Sequence, residues 1–325
     1  QPYTEALQAL GVEVLVGESI ARHLDSWLAE HAAYIDEVFL HRPHVAEQFL
    51  PHLERMEPQP RIGYVGHDLH YLRIEREAAL KDDDGLRSEA QRWRKRELAV
   101  MARVDRIYYF SEVEIEELGT QVPAEKLRQI PLYAMELQAL PDYAPSHAQE
   151  LLFVGGYGHP PNVDAATWLV EEILPRIHQH LPSARLHLVG SNPPDSVRAL
   201  AGNAVTVHGY VSDEELTALY RRVGAAVVPL RYGAGVKGKV IEAIASHVPL
   251  VTTDVGAEGI PDCEAVMWIE NTAELLAQRL VRILSGDEDV GARLGQHEAW
   301  LATHFDTRRA AEVLARDLPA AEREA

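Results

Sequence analysis

Two lysines and a glutamate stand close together in Pro229-Leu230-Arg231-Tyr232-Gly233-Ala234-Gly235-Val236-Lys237-Gly238-Lys239-Val240-Ile241-Glu242-Ala243. A strand is expected to end at Pro229, and a helix is expected from Val236 after a glycine-punctuated loop. Glycine lets backbone N–H groups close on a phosphate, and a helix N-terminus adds positive potential. Lys237 and Lys239 add full charges to that first turn, the wrong end of the helix dipole for a lysine serving stability alone. Lys239 and Glu242, three residues apart, share a helix face. Such a set can hold a diphosphate and a ribose side by side. The plainer alternative is a solvated Lys–Glu pair on an exposed helix. The Gly-Lys-Ser/Thr ending of a Walker loop is absent.

A second turn of the same kind is Phe153-Val154-Gly155-Gly156-Tyr157-Gly158-His159-Pro160-Pro161-Asn162. It lacks the G-x-G-x-x-G spacing of a dinucleotide site, and its two prolines remove amides that such a site needs. His159 is equally readable as a cleft residue or a solvated one. A third signal, Gly66-His67-Asp68-Leu69-His70, follows an expected strand, where polar side chains reach a ligand crevice. The alternative is that Asp68 caps the next helix. His67 and His70 have a His-x-x-His look, but no glutamate completes a zinc motif, so no metal site is expected. Asp82-Asp83-Asp84 reads as a solvated helix end, and Arg92, Arg94, Lys95 and Arg96 as a solvated basic face.

The elements that must position these residues alternate strand and helix. Strands are expected at 12–16, 34–40, 61–65 and 106–110, with helices at 18–30, 44–53, 69–81, 85–102 and 112–118. Ser111 followed by Glu114 fits a capping box for the last of these. The segment 141–147, with two prolines and small polar residues, reads as a linker. The alternation then restarts, with strands at 151–154, 185–189, 205–208, 225–229, 250–253 and 265–268. Helices at about 290–305 and 307–318 close the chain. This predicts an α/β protein of two facing doubly wound, Rossmann-like domains with a cleft between the carboxyl ends of their strands. The expected division is 1–146, 147–304 and a C-terminal helix, 305–325, packing back on the first domain.

Composition narrows the function. The chain has 325 residues, 46% hydrophobic and 25% charged, which excludes disorder, collagen and coiled coil. Its net charge of −19 argues against tracking nucleic acid or an anionic membrane surface. The one cysteine, Cys263, excludes an internal disulfide and points to a reducing, cytoplasmic compartment. The longest apolar runs, such as 225–230, are strand-sized and no membrane span is expected. The start at Gln1 reads as mid-fold, so further residues or domains of a longer chain are expected.

The second half resembles the GT-B glycosyltransferases, in particular glycosyltransferase family 4 (glycosyl transferases group 1). The resemblance rests on Leu152-Phe153-Val154-Gly155-Gly156, Pro161-Asn162-Val163-Asp164-Ala165, Leu188-Val189-Gly190-Ser191, Val207-His208-Gly209-Tyr210-Val211, the stretch from Gly235 to Ala243, and Val255-Gly256-Ala257-Glu258-Gly259. It is strong over 151–259 and weaker over 62–118. It implies a nucleotide-sugar donor (UDP-, GDP- or dTDP-sugar) in the second domain and a glycan or lipid-linked acceptor in the first. It also implies retaining transfer in bacterial polysaccharide biosynthesis, with no metal and no cofactor beyond the donor. Glu242 would hold the donor ribose, and Lys237, Lys239 and Arg231 the diphosphate. Gly155, Gly156 and Gly235 would line the donor, and the backbone about Tyr210 its base. His67 and Asp68 would face the donor sugar.

This chain departs from the family pattern in three places. Ala234 stands where a first glutamate is usual. No Arg or Lys lies in 155–162, and the usual first strand with its glycine-rich loop is missing. Two other classes therefore stay open. One is a non-catalytic GT-B-like module that binds nucleotide sugar or glycan. The other is a GT-B-shaped enzyme of another kind, such as a sugar-nucleotide epimerase. A nicotinamide enzyme is disfavoured by the broken glycine spacing.

Overall fold

The computed structural model describes residues 4–131 and 149–318. The expected linker, 141–147, and the end of the expected C-terminal helix, 319–325, lie outside these residues. Among the described residues, ten strands form two all-parallel sheets. β1 (Glu37–His41), β2 (Arg61–Val65), β3 (Arg106–Tyr109) and β4 (Leu127–Gln129) lie in that order. The second sheet is built from β5 (Glu150–Val154), β6 (Arg185–Val189), β7 (Val205–Gly209), β8 (Ala225–Val228), β9 (Leu250–Thr252) and β10 (Trp268–Ile269). Its order is β10-β9-β8-β5-β6-β7. Strands such as β8, buried at every position, are the runs of β-branched and small apolar residues that a sheet covered on both faces requires.

Each sheet has its own core. One gathers Leu50, Tyr64, Tyr109 and Leu118, the other Phe153, Leu188, Val227 and Trp300. Close packing explains two glycines in the first domain. A side chain at Gly63 would start 2.9 Å from the Phe39 ring, and one at Gly66 would start 2.1 Å from the Tyr109 ring. Gly66 thus lets the chain leave β2 flat against Tyr109 and enter the loop that carries His67 and Asp68.

The C-terminal helix Thr307–Asp317 follows the second domain but binds the first. Asp317 accepts hydrogen bonds from Arg106 Nε at 3.2 Å, Tyr108 Oη at 3.0 Å and Arg128 Nε at 2.9 Å.

Several expected elements are redrawn. Residues 12–16 form no strand; they are irregular and pair with none of the described strands, and Val12 and Val16 are exposed. The helix at 18–30 breaks at His23 into Glu18–Arg22 and Leu24–His31. Tyr34 closes a short turn, so β1 begins only at Glu37. The closing helix at 290–305 is two pieces, Gly291–Leu294 and His297–His304. β4 was not anticipated, because three residues of mixed polarity give no periodic signal.

Candidate functional site

In an open parallel sheet, ligands bind where strand order reverses, beyond the carboxyl ends of the strands. In the second sheet that point is β5, which has β6 on one side and β8 on the other. The turn after β5 begins with Gly155-Gly156, and the loop after β8 leads to Lys237 and Lys239. The two glycine signals of the sequence therefore converge on one crevice.

The helix expected from Val236 begins at Gly238 and runs to Ala245, with Lys237 at its N-cap. Its apolar side, Val240, Ile241, Ala243 and Ile244, is buried in the core. Lys239 lies in the first turn and reaches the Gly155 turn. Its ammonium hydrogen-bonds Asn162 Oδ1, while Asn162 Nδ2 donates to Gly156 O at 2.8 Å. A side chain at Gly155 would start 2.9 Å from that ammonium and 2.8 Å from Asn162 Cγ, so only glycine admits the pair. The ammonium also lies 5.1 Å from the Phe153 ring centre. Removal from water, with Lys237 nearby, lowers the Lys239 pKa to about 7, although Glu242 opposes the shift.

Lys237 is buried, with Nζ 3.5 Å from Glu258 Oε1. Burial lowers its pKa too. Glu258 is held from the other domain as well: Arg76 donates to its Oε1 at 2.9 Å and to Gly233 O at 2.6 Å. Glu242, on the same face as Lys239, is half-buried, and burial and then Asp213 raise its pKa.

Across the crevice stand His67 and Asp68. His67 Nε2 lies 3.4 Å from His41 Nδ1, and its ring meets Phe110 edge-on at 5.5 Å. Burial and then Arg42 lower its pKa. Asp68 accepts from Arg73 Nε at 3.1 Å. Gly235, at φ +73°, packs directly on this loop. His159, beside the Gly155 turn, has its protonated form disfavoured by burial and then by Arg73, with Asp68 opposing. A cavity of about 520 Å³ opens beside this junction, with Phe110, Gln129, Val236, Gly259, Phe305 and Arg309 among its walls.

The structure thus brings together Gly155, Gly156, Lys237, Lys239, Glu242, Gly235, His67 and Asp68. It does not bring in Arg231, whose guanidinium forks onto Asp164 at 2.9 and 2.5 Å and lies over Trp168. Tyr210 is 78% exposed just after Gly209, and the neighbouring His208 is bonded to His187 at 2.9 Å. His70 turns away from the cleft, stacked on Trp93 and bonded to Glu97 at 3.0 Å. The basic face is partly committed: Arg96 pairs with Glu47, and Arg94 lies over Tyr71.

Three contributors were not singled out from the sequence, Asn162, Glu258 and Arg76, and a fourth, Glu114, was read only as a helix cap. Glu114 does not complete the expected capping box. Ser111 Oγ does accept the Glu114 N–H at 3.3 Å, but the carboxyl group turns to the Leu69 N–H at 3.1 Å.

Residues 148–286 match the family model described as Glycosyl transferases group 1. A curated relative from Klebsiella pneumoniae, an uncharacterized 44.6 kDa protein in the cps region, is 29% identical over 120 residues. The match covers 35% of this chain and 31% of that protein. Among solved structures, S. aureus TarM, crystallised with fondaparinux, alpha-GlcNAc-glycerol and UDP, superposes with a TM-score of 0.69 at 14% identity. That match covers 90% of this chain and 57% of TarM. Sucrose-phosphate synthase from Thermosynechococcus elongatus gives 0.68 at 20% identity, over 92% and 77% of the two chains. Anabaena HepE, in complex with UDP and glucose, gives 0.67 at 13% identity, over 97% and 88%. The chain has the GT-B fold. Its second domain carries the match to glycosyl transferases group 1. Among the described residues, no helix is long and apolar enough to cross a membrane.

Proposed function

We propose that this protein is a glycosyltransferase that moves a sugar from a nucleotide-sugar donor to a glycan or lipid-linked acceptor, retaining the anomeric configuration. The observation that carries this reading is the enclosure of Lys239 and Lys237 at the switch point of the second sheet, opposite His67 and Asp68. A UDP-sugar is favoured among UDP-, GDP- and dTDP-sugars, because TarM and HepE are described with UDP. Polysaccharide assembly in the bacterial cytoplasm is the setting that fits a nucleotide sugar and a lone thiol.

In the proposed reaction the bond between the anomeric carbon and the diphosphate oxygen breaks. Negative charge grows on the leaving diphosphate, where Lys239, Lys237 and the helix N-terminus stabilise it, so no metal is required for that task. The acceptor hydroxyl attacks from the same face, and its proton passes to the departing phosphate oxygen. Glu242 accepts the ribose hydroxyls. The His67 carbonyl is packed on Gly235, which leaves its imidazole as the group presented to the sugar. Asp68, held by Arg73, fixes that loop. The acceptor enters from the cavity walled by Phe110.

Thermal shifts against a nucleotide-sugar panel identify the donor; saturation at about 100 times Kd stabilises by roughly 2.7 kcal/mol. Lys239→Ala is expected to weaken nucleoside diphosphate at least about tenfold, the cost of one charge-assisted contact. Glu242→Gln is expected to erase discrimination between UDP and 2′-deoxy-UDP. His67→Ala is expected to lower turnover far more than UDP affinity. Binding without turnover in the wild-type chain would instead identify a non-catalytic module.

A further inference from the structure

We propose that Glu114 is a positioning residue: it links the seating of the second domain to the setting of the His67–Asp68 loop. The proposal rests on the glycosyl-transfer reading for its kinetic consequence, but its geometry stands apart from it.

The helix His70–Lys81 begins behind Leu69, an N-cap whose side chain accepts nothing. Its first N–H groups need partners, because a helix start leaves four donors unmatched. Two carboxyl groups from distant parts of the chain supply them. Glu97 accepts from the N–H of His70 at 3.0 Å and of Tyr71 at 3.1 Å. Glu114 accepts from the N–H of Leu69 at 3.1 Å. Both are fully buried.

Glu97 acts as a cap and does no more for the cleft, since its remaining bond is to His70. Glu114 has a second connection. Its Oε2 accepts the Ser111 hydroxyl at 3.2 Å. Ser111 is where the second domain lands: Gly259, at φ +73°, lies so close that a side chain there would start 2.2 Å from Ser111 Cβ. Two residues before Leu69, the His67 carbonyl is where Gly235 of the same domain lands. A continuous path therefore runs from Gly259 through Ser111, Glu114 and Leu69 to His67, and on to Gly235. Both of its ends are contacts made by the second domain.

The electrostatics agree. Burial, and then the charge of Asp68, raise the Glu114 pKa to about 8, and Lys237 of the second domain opposes the rise. Glu114 thus senses Asp68 of the loop and Lys237, the candidate diphosphate ligand, together. With its carboxyl group mostly protonated at neutral pH, Oε1 accepts from Leu69 and a protonated Oε2 can donate to Ser111 Oγ in place of accepting from it, so glutamine, whose oxygen accepts and whose NH2 donates, is a close mimic of that form.

The experiment compares Glu114→Ala, Glu114→Gln and Ser111→Ala in the full chain. It measures UDP Kd by calorimetry, turnover of a UDP-sugar, and the His67 imidazole resonances by NMR. Expected for Glu114→Ala are a shifted His67 resonance, turnover down at least tenfold and UDP Kd within twofold of wild type. Glu114→Gln restores the resonance and brings turnover within about threefold. Ser111→Ala, which keeps the Leu69 bond, shifts the resonance in the same direction by less. An unmoved His67 resonance in both alanine variants overturns the proposal, as does loss of UDP affinity in step with turnover. If Glu114→Ala does not fold, Ser111→Ala decides by the same resonance. If the wild-type chain turns over no UDP-sugar, the donor reading fails, and the resonance still decides the positioning role.

Discussion

Gly235 and His67 touch across the cleft: a side chain at Gly235 would start 2.7 Å from the His67 carbonyl oxygen. The candidate donor loop and the candidate catalytic loop are therefore in backbone contact, and the cleft is closed at this point.

Gly235→Ala carries two costs. The left-handed backbone at φ +73° costs an alanine about 1–2 kcal/mol, and the new methyl group must push His67 away. Gly286→Ala is the matched control, with φ +77° and open space around it. Denaturant unfolding is expected to show a greater loss for Gly235→Ala, and small-angle scattering a larger radius of gyration. Equal losses and equal radii would show that the His67 contact contributes nothing.

Lys239 makes nucleotide binding depend on pH. Its folded-state pKa is lowered from 10.5 to about 7, so above pH 7 the unliganded ammonium gives up its proton. A diphosphate beside it restores the charged form. UDP binding at pH 8 is then expected to take up a proton, and affinity to fall as pH rises through 7. Calorimetry in buffers of different ionisation enthalpy checks this; Lys239→Met should abolish the uptake. For the unliganded protein the sign reverses. The unfolded chain binds more protons between pH 7 and 10.5, so this lysine's contribution makes stability rise with pH across that window.

Glu114 has the opposite slope. An acid raised from 4.5 to about 8 keeps its proton in the folded state after the unfolded state has lost it. Its contribution lowers stability as pH rises from 4.5 to 8, by at most about 1.4 kcal/mol per unit, and levels off above. Glu114→Gln removes this slope. Its stability relative to wild type is expected to increase steadily across that range in denaturant titrations. A constant difference would mean that Glu114 is ionised throughout.

Asp317→Ala should release the C-terminal helix from the first sheet. It removes bonds to two arginines and a tyrosine and leaves Tyr108 Oη without its acceptor. Because the arginines remain about one-third exposed, a loss of roughly 1–3 kcal/mol is expected. Limited proteolysis should then cut within 306–318 faster than in wild type, with UDP affinity preserved.

The sequence was most legible where chemistry and periodicity coincide. β2, β6 and the glycine turns are short buried runs ended by residues that break regular structure, and their positions hold in the structure. Residues 12–16 looked equally strand-like, but a strand exists only where a neighbour offers its hydrogen bonds, and no local pattern reports that. Lys237 and Lys239 were visible as charges out of place at a helix start. The Lys239–Asn162 bond joins residues 77 apart, and only the β5–β8 pairing creates it. The placement of Arg231 was hidden for the same reason: its charge was evident, but Asp164 and Trp168, which hold it, belong to another helix. Glu114 was seen, but as a local cap, because sequence spacing records neighbours along a helix and not a backbone amide 45 residues away.

The anchoring of Asp317 to the first sheet has a mechanical consequence. The chain that builds the second sheet is followed by a helix that comes back to β3 and β4 through Asp317, so the last helix of the protein belongs by contact to the sheet that its sequence left long before. Parting the two halves must therefore either break the Asp317 bonds or leave that helix behind, and it must also separate Gly235 from His67 and Gly259 from Ser111.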